Sequence, residues 1–220
     1  MNYVVFDLDG TLTDSSEGIM NAFRVTIEKA GLEVPSNTDL FSFIGPPVLD
    51  TFQDYFGMDY ESARKWTEVF REEYSTHRLF ENRPYDGIKE MLAALQEAGC
   101  VIGMATAKPE EYALKILEHF DLAQYIQYPY GASLDHVTLT KKSEILKNAL
   151  HAADKDYSIS SIYMVGDRQY DVHGAKANGV PCIGVTYGFG DREELVEAGA
   201  DYIVDTPQAV VDVVLKGNIQ

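Results

Sequence analysis

Two carboxylates, Asp7 and Asp9, follow the apolar run Tyr3-Val4-Val5-Phe6 and precede Gly10 and Thr11. A short β-branched and aromatic run that stops abruptly reads as a buried strand. In extended chain, residues two apart point to the same side. Asp7 and Asp9 can therefore serve one site just past the strand's end. Crowded carboxylates repel each other unless a cation lies between them, and hard oxygen ligands at this density suit Mg²⁺. Three readings compete. One is a solvated acidic turn. Another is a calcium loop, which fails on position: counting from Asp7, the sixth place should be Gly and is Leu12, and the twelfth should be Glu and is Gly18. The third is an aspartyl-phosphate site in which Asp7 attacks a phosphoryl group and Asp9 handles the proton.

Further along stand Thr106-Ala107-Lys108, then Lys141-Lys142, then Gly166-Asp167 with Asp171. Taken alone, Thr106 and Lys108 read as a helix cap and a solvated lysine. Lys141 and Lys142 read as a solvated face, and Gly166-Asp167 with Asp171 as a turn and a helix N-terminal carboxylate. Jointly, each at the same end of its element, they form a set for phosphoryl transfer, which needs positioning and neutralisation of oxygen charge. Asp7 is the candidate nucleophile. Asp9 would protonate the leaving oxygen and later deprotonate the attacking water. Asp7, the Asp9 backbone carbonyl and Asp167 would hold Mg²⁺. Thr106 and the backbone N–H groups near it, at Ala107, would bind phosphate oxygens. Lys142 or Lys141 would offset the negative charge, and Asp171 would fix that lysine or a metal-bound water.

The elements that must position these groups follow from periodicity. Ser15 and Ser16 can cap a helix whose stripe is Ile19, Ala22, Phe23, Thr26, Ile27 and Ala30, ending at Gly31. From there to about Phe80 no strand pattern occurs. Phe52, Tyr55 and Phe56, then Trp66, Val69, Phe70 and Tyr74, give helical apolar faces, and Gly45-Pro46-Pro47 breaks the segment and starts a helix. After Glu81-Asn82-Arg83-Pro84-Tyr85 the alternation is regular. Helices are expected at 88–95, 110–120, from 142, at 170–178, 193–198 and 207–215. Strands are expected at 100–105, 125–130, 162–165, 182–185 and 202–204. Such alternation implies a parallel sheet covered by helices, with ligands outside the carboxyl ends of its strands.

Composition bounds the rest. The 220 residues are 45% hydrophobic, enough for a sizeable core, and carry a net charge of −17. A phosphate backbone would be repelled, which argues against a nucleic-acid partner. Cys100 and Cys182 each begin an apolar run and read as buried reduced thiols. His77, His119, His136, His151 and His173 show no paired metal spacing. No signal peptide and no membrane-length apolar run are visible, so the expectation is a cytoplasmic protein without a membrane partner.

With these residues in view, the chain resembles the haloacid dehalogenase superfamily of phosphatases over nearly its full length. Asp7-Leu8-Asp9-Gly10-Thr11 resembles the first motif, Thr106 the second, Lys142 the third, and Gly166-Asp167 with Asp171 the fourth. The resemblance implies an α/β, Rossmann-like core of residues 1–14 and 82–220, an inserted all-helical C1-type cap of residues 15–81, Mg²⁺ and an aspartyl-phosphate intermediate. Ile44-Gly45-Pro46-Pro47 and Asn82-Arg83-Pro84-Tyr85 resemble the phosphoglycolate phosphatase and 5′-nucleotidase-like group. Two positions depart from many relatives: Ala107 replaces Asn or Ser, and Ser143 replaces Pro after Lys142, which leaves Lys141 or Lys142 open as the site lysine. The superfamily's dehalogenases lack a carboxylate at the Asp9 position, so Asp9 favours phosphate-ester hydrolysis.

The resulting expectation is a phosphomonoesterase for a small soluble metabolite, phosphoglycolate phosphatase-like. The alternatives are a 5′-nucleotidase, a sugar phosphomutase on the same scaffold, and a non-catalytic phospho-acceptor module. Gly45 and Pro46 are candidate substrate contacts in the cap, and Arg78 and Arg83 could meet a second anionic group. The sequence leaves monomer or homodimer open.

Overall fold

The structure, a computed structural model, describes residues 1–134, 139–154 and 159–217, the side chain of Asp154 excepted. His136 lies outside the described residues. The chain divides into two compact units, Met1–Asp14 with Pro84–Gln220, and Ser15–Arg83.

The first unit is built on β1 (Asn2–Phe6). The short strands β2 (Thr13–Asp14) and β3 (Arg83–Pro84) mark where the chain leaves it and returns. There follow α5 (Ile88–Glu97), β4 (Val101–Pro109), α6 (Glu110–His119), β5 (Tyr128–Ala132), α7 (Lys142–Asp154), β6 (Ser161–Gly166), α8 (Gln169–Ala177), β7 (Cys182–Val185), α9 (Arg192–Ala198), β8 (Tyr202–Val204) and α10 (Pro207–Lys216). Six strands pair in the order β5-β4-β1-β6-β7-β8, every neighbour parallel. Numbered among themselves, they run 3-2-1-4-5-6, the doubly wound Rossmann order. Strand order reverses at β1, so the crevice at the carboxyl end of β1 is the fold's natural ligand site.

A central parallel strand is covered on both faces and must be apolar throughout. Tyr3, Val4, Val5 and Phe6 are fully buried. Tyr3 and Val5 pack with Ile145, Leu146 and Ala149 of α7, Val172 of α8 and Leu195 of α9. Each such side chain contributes about 1.5–3 kcal/mol on burial. This makes β1 a rigid base for the residues that follow it.

Two strands differ from the sequence expectation. β4 continues past Ala105 to Pro109, with a register shift against β5 between Thr106 and Pro109. The strand expected at 125–130 lies at Tyr128–Ala132, because Ala123–Tyr125 form a 3₁₀ turn. Gln127 ends that turn by donating its N–H to the Ile102 carbonyl, while its side-chain oxygen accepts from the Ile102 N–H.

The second unit is helical: α1 (Ser16–Lys29), α2 (Asn37–Ser42), α3 (Val48–Asp54), α4 (Tyr60–Glu73) and a π-helical turn over Tyr74–Arg78. Ser15 stands at the N-cap of α1 without a side-chain cap bond. Phe23 is the hub of its core, with ring centroids 5.2, 6.0 and 4.5 Å from Phe43, Phe52 and Phe70. Gly45, at φ 110°, and Pro46 lie in the break between α2 and α3. α4 buries Ala63, Thr67, Phe70 and Glu73, and Trp66 and Val69 are only half-buried. That stripe is rotated from the one expected.

Candidate active site

The site grows from the end of β1. Asp7 donates its N–H to the Val165 carbonyl at 2.9 Å, which ties the exit of β1 to β6. The chain then folds over one acceptor: the Leu8 carbonyl receives the N–H groups of Thr11, Leu12 and Thr13 at 3.2, 2.9 and 3.0 Å. Gly10 makes the turn possible at φ +82°. A Cβ there would also lie 2.1 Å from an Asp167 carboxylate oxygen, so only glycine permits the approach of the two strand ends.

Asp167 directly follows β6 and is fully buried. Its carboxylate accepts from the Phe189 N–H at 2.8 Å and the Thr11 hydroxyl at 3.2 Å. Asp171, in the first turn of α8, is also buried and accepts from the Arg168 N–H at 3.1 Å. Gly166 is required beside it, since a Cβ there would stand 2.2 Å from the Asp171 carboxyl carbon. One carboxylate oxygen from each of Asp7, Asp167 and Asp171 lies within 4.8 Å of the others.

Lys142, the first residue of α7, bridges two of the three. Its Nζ is 2.7 Å from Asp7 Oδ1 and 2.8 Å from Asp171 Oδ1, with only 8% of its side chain exposed. Lys141 is exposed, so of the two candidates Lys142 reaches the carboxylates. Lys108 Nζ lies 2.8 Å from Asp9 Oδ2. Thr106 is buried, and its hydroxyl accepts from the Lys108 N–H at 3.2 Å. Ala107 between them is exposed.

Two side chains that the sequence reading gave bland roles, or none, thus belong to the cluster. Lys108, solvated when taken alone and otherwise one of the strand-end charges with no role of its own, is buried. It is two residues beyond Thr106 in extended chain, the same spacing that pairs Asp7 with Asp9. Thr11 holds Asp167. No local pattern marks the Phe189 N–H. Arg78 and Glu81 pair within the helical unit at 2.7 Å.

The cluster is charge-deficient. Burial, then the neighbouring Asp171 and Asp7 charges, push the Asp167 carboxyl up to about 8. Burial also raises Asp7, to about 6, against the opposing pull of Lys142. Carboxylates held this close, with two lysines among four of them, fit a divalent cation with oxygen ligands.

The family model for haloacid dehalogenase-like hydrolases matches residues 4–185. The chain belongs to that family. It is 41% identical over 194 residues to a 5′-nucleotidase of Pseudomonas aeruginosa, covering 87% of this chain and 86% of that one. It is 36% identical over 209 residues to the tyrosine-protein kinase PtkA of Mycobacterium tuberculosis, covering 95% of this chain and 69% of that one. A solved structure described as a predicted phosphatase from Clostridium acetobutylicum superposes with a TM-score of 0.89 at 41% identity, covering 98% of both chains. The chain is a phosphoric monoester hydrolase of the haloacid dehalogenase-like type, acting on small phosphorylated molecules. Members of this family use a divalent metal, and the buried aspartates suit one. Among the described residues no helix is long and apolar enough to cross a membrane.

Proposed function

We propose that the chain is a Mg²⁺-dependent phosphatase for a small soluble phosphorylated metabolite, working through phosphorylated Asp7. The convergence of Asp7, Asp167 and Asp171 within 4.8 Å, with Lys142 bridging Asp7 and Asp171, carries this reading. Mg²⁺ held by Asp7, Asp167 and the Asp9 carbonyl would neutralise the carboxylates and the phosphoryl oxygens.

Lys142 keeps Asp7 ionised and oriented for attack on phosphorus. As the Asp7 oxygen–phosphorus bond forms, the ester oxygen–phosphorus bond breaks, and Asp9 gives its proton to the departing oxygen. The Thr106 hydroxyl and the Ala107 N–H are the donors assigned to the non-bridging oxygens. Water then attacks the phosphorus, Asp9 takes its proton, and Asp7 is released with inorganic phosphate. A halide would leave without that proton, so Asp9 has a purpose only for an oxygen leaving group.

The test is phosphate release from a panel of monoesters with Mg²⁺, including phosphoglycolate, nucleoside 5′-monophosphates and sugar phosphates. The wild type should release inorganic phosphate. Asp7→Asn should lose roughly 10⁵-fold in kcat while remaining folded. Turnover of Asp7→Asn near the wild-type rate would end this reading. An isomerised sugar phosphate in place of free phosphate would identify a mutase. A stable phosphoprotein without release would identify a phospho-acceptor.

A further inference from the structure

We propose that Lys108 is a positioning residue that fixes the Asp9 carboxyl in the orientation proton transfer requires, an inference that rests on the proton-transfer role assigned to Asp9. Lys108 Nζ stands 2.8 Å from Asp9 Oδ2, with 6% of the lysine side chain exposed. Asp9 Oδ1 is enclosed and has no hydrogen-bond partner among the described residues. Lys108 is therefore the side-chain anchor of that carboxyl.

Backbone geometry leaves the anchor decisive. The three N–H groups converging on the Leu8 carbonyl fix the loop that carries Asp9. What remains free is the side chain, and an aspartate on a fixed backbone has three staggered choices at its first torsion. Proton transfer demands hydrogen-bond reach to one oxygen, and small misplacements cost large factors in rate. Lys108 can select one well because β4 runs on past Ala105 to Pro109. The irregular register after Thr106 lies in the same stretch. The two lysines divide the work: Lys142 serves Asp7 and Asp171, and Lys108 serves Asp9.

The experiment compares kcat/KM, which reports the step that phosphorylates Asp7, on two esters. p-Nitrophenyl phosphate expels a stable phenolate with little need of a proton. A primary-alkyl phosphate turned over in the panel expels an alkoxide that needs one. Lys108→Met should lose about 100-fold on the alkyl ester and less than about 5-fold on the aryl ester. Lys108→Arg, which keeps a charged donor, should recover most of the loss. In an Asp9→Asn background, Lys108→Met should add less than about 3-fold, because the group it positions is gone. Equal losses on both esters would overturn the proposal, since a lysine that only holds phosphate or the fold penalises both alike. So would a full multiplicative loss in the Asp9→Asn background. Melting temperatures identify a folding defect, and Lys108→Gln replaces the Met variant if that one unfolds. If Asp9→Asn itself shows no leaving-group dependence, the role of Asp9 fails and this proposal falls with it. If Asp9→Asn shows it and Lys108→Met does not, only the present inference fails.

Discussion

Each unit of the molecule gathers charges around a buried carboxylate, and the two clusters are balanced differently. In the helical unit, Glu73 is reached by Lys29 and Arg78, both at 3.1 Å, and Glu81 by Arg78 at 2.7 Å and the Asn21 amide at 2.7 Å. Two carboxylates meet two cations. Burial pushes Glu73 up, but hydrogen bonds from Lys29 and Arg78 outweigh it and its carboxyl ends below the ordinary range. Glu81 follows the same course, with Asn21 and Arg78 as donors. At the strand ends, Asp7, Asp9, Asp167 and Asp171 meet, among the cations of the described residues, Lys108 and Lys142, which leaves a surplus of two negative charges there. There burial prevails, and Asp7 and Asp167 end above the ordinary range. A cluster complete in itself holds a fold together, whereas one short of positive charge is built to receive it from outside. The first supports the fold, and the second is the candidate site.

The largest effect that follows is at Lys142. Lys142→Met deepens the surplus from two charges to three and frees Asp7 from its orienting partner. It should cost roughly 10³-fold in kcat, the upper end of the 10²–10³ typical of one lost transition-state donor. Steady-state kinetics with saturating Mg²⁺ would measure it. Activity within tenfold of wild type would break the contrast, because the cation bridging Asp7 and Asp171 would then be idle.

A second consequence is a stability that falls as pH rises from 6 to 8, which the deficient cluster should show and the balanced one should not. In the metal-free protein, Asp167 holds its proton up to about pH 8, whereas the unfolded chain releases it near the ordinary value of 3.8. Between those values the folded state binds more protons. Stability conferred by the proton is therefore complete below the lower value and lost as pH rises through the upper one. One proton corresponds to about 1.4 kcal/mol per pH unit, or about 3–5 °C in Tm for a chain of this size. Tm in chelator should fall from pH 6 to pH 8. On the proposed assignment of Asp167 as a ligand, Mg²⁺ displaces that proton, and its affinity should rise over the same interval, up to about tenfold per unit. Asp167→Asn should flatten the slope in chelator and abolish the gain from Mg²⁺. A metal-free Tm that stays level in wild type, or an Asn variant with the same slope, would contradict the charge surplus.

How much of this was legible in the sequence follows from what each residue needs to reveal itself. Asp7 and Asp9 were legible because a two-residue spacing after an apolar strand has one geometric meaning. The parallel order of the sheet followed from regular alternation of strands and helices. The pairing of Lys108 with Asp9 was not legible, because it depends on β4 continuing four residues beyond its apolar run, which the register with β5 decides. The choice between Lys141 and Lys142 was equally closed. Adjacent residues at a helix start differ by about 100° in direction, and only packing against β1 selects one. Glu73 was hidden for a related reason. It falls seven residues after Trp66, on the apolar face itself, and only the approach of Lys29 and Arg78 makes a buried carboxylate acceptable there.

Glu73 also provides the smallest effect and the control for the others. The π-helical turn over Tyr74–Arg78 makes its pairing with Arg78 possible. Five residues separate the two, a spacing that an α-helix does not bring together and that the wider turn does. Glu73→Gln keeps the shape and removes the charge, leaving Lys29 and Arg78 with one fewer carboxylate between them. It should cost on the order of 2 kcal/mol, the scale of a charged hydrogen bond lost in a buried setting, and about 4–8 °C in Tm. As pH falls through the lowered range in which the wild-type carboxyl takes up its proton, the two proteins should converge, because a carboxyl held below its ordinary range stabilises the fold only while ionised. With excess substrate and Mg²⁺, kcat should stay within about threefold of wild type. Loss of activity with an unchanged Tm would mean that the balanced cluster takes part in turnover, and the distinction between a charge set that supports the fold and one that performs chemistry would no longer hold.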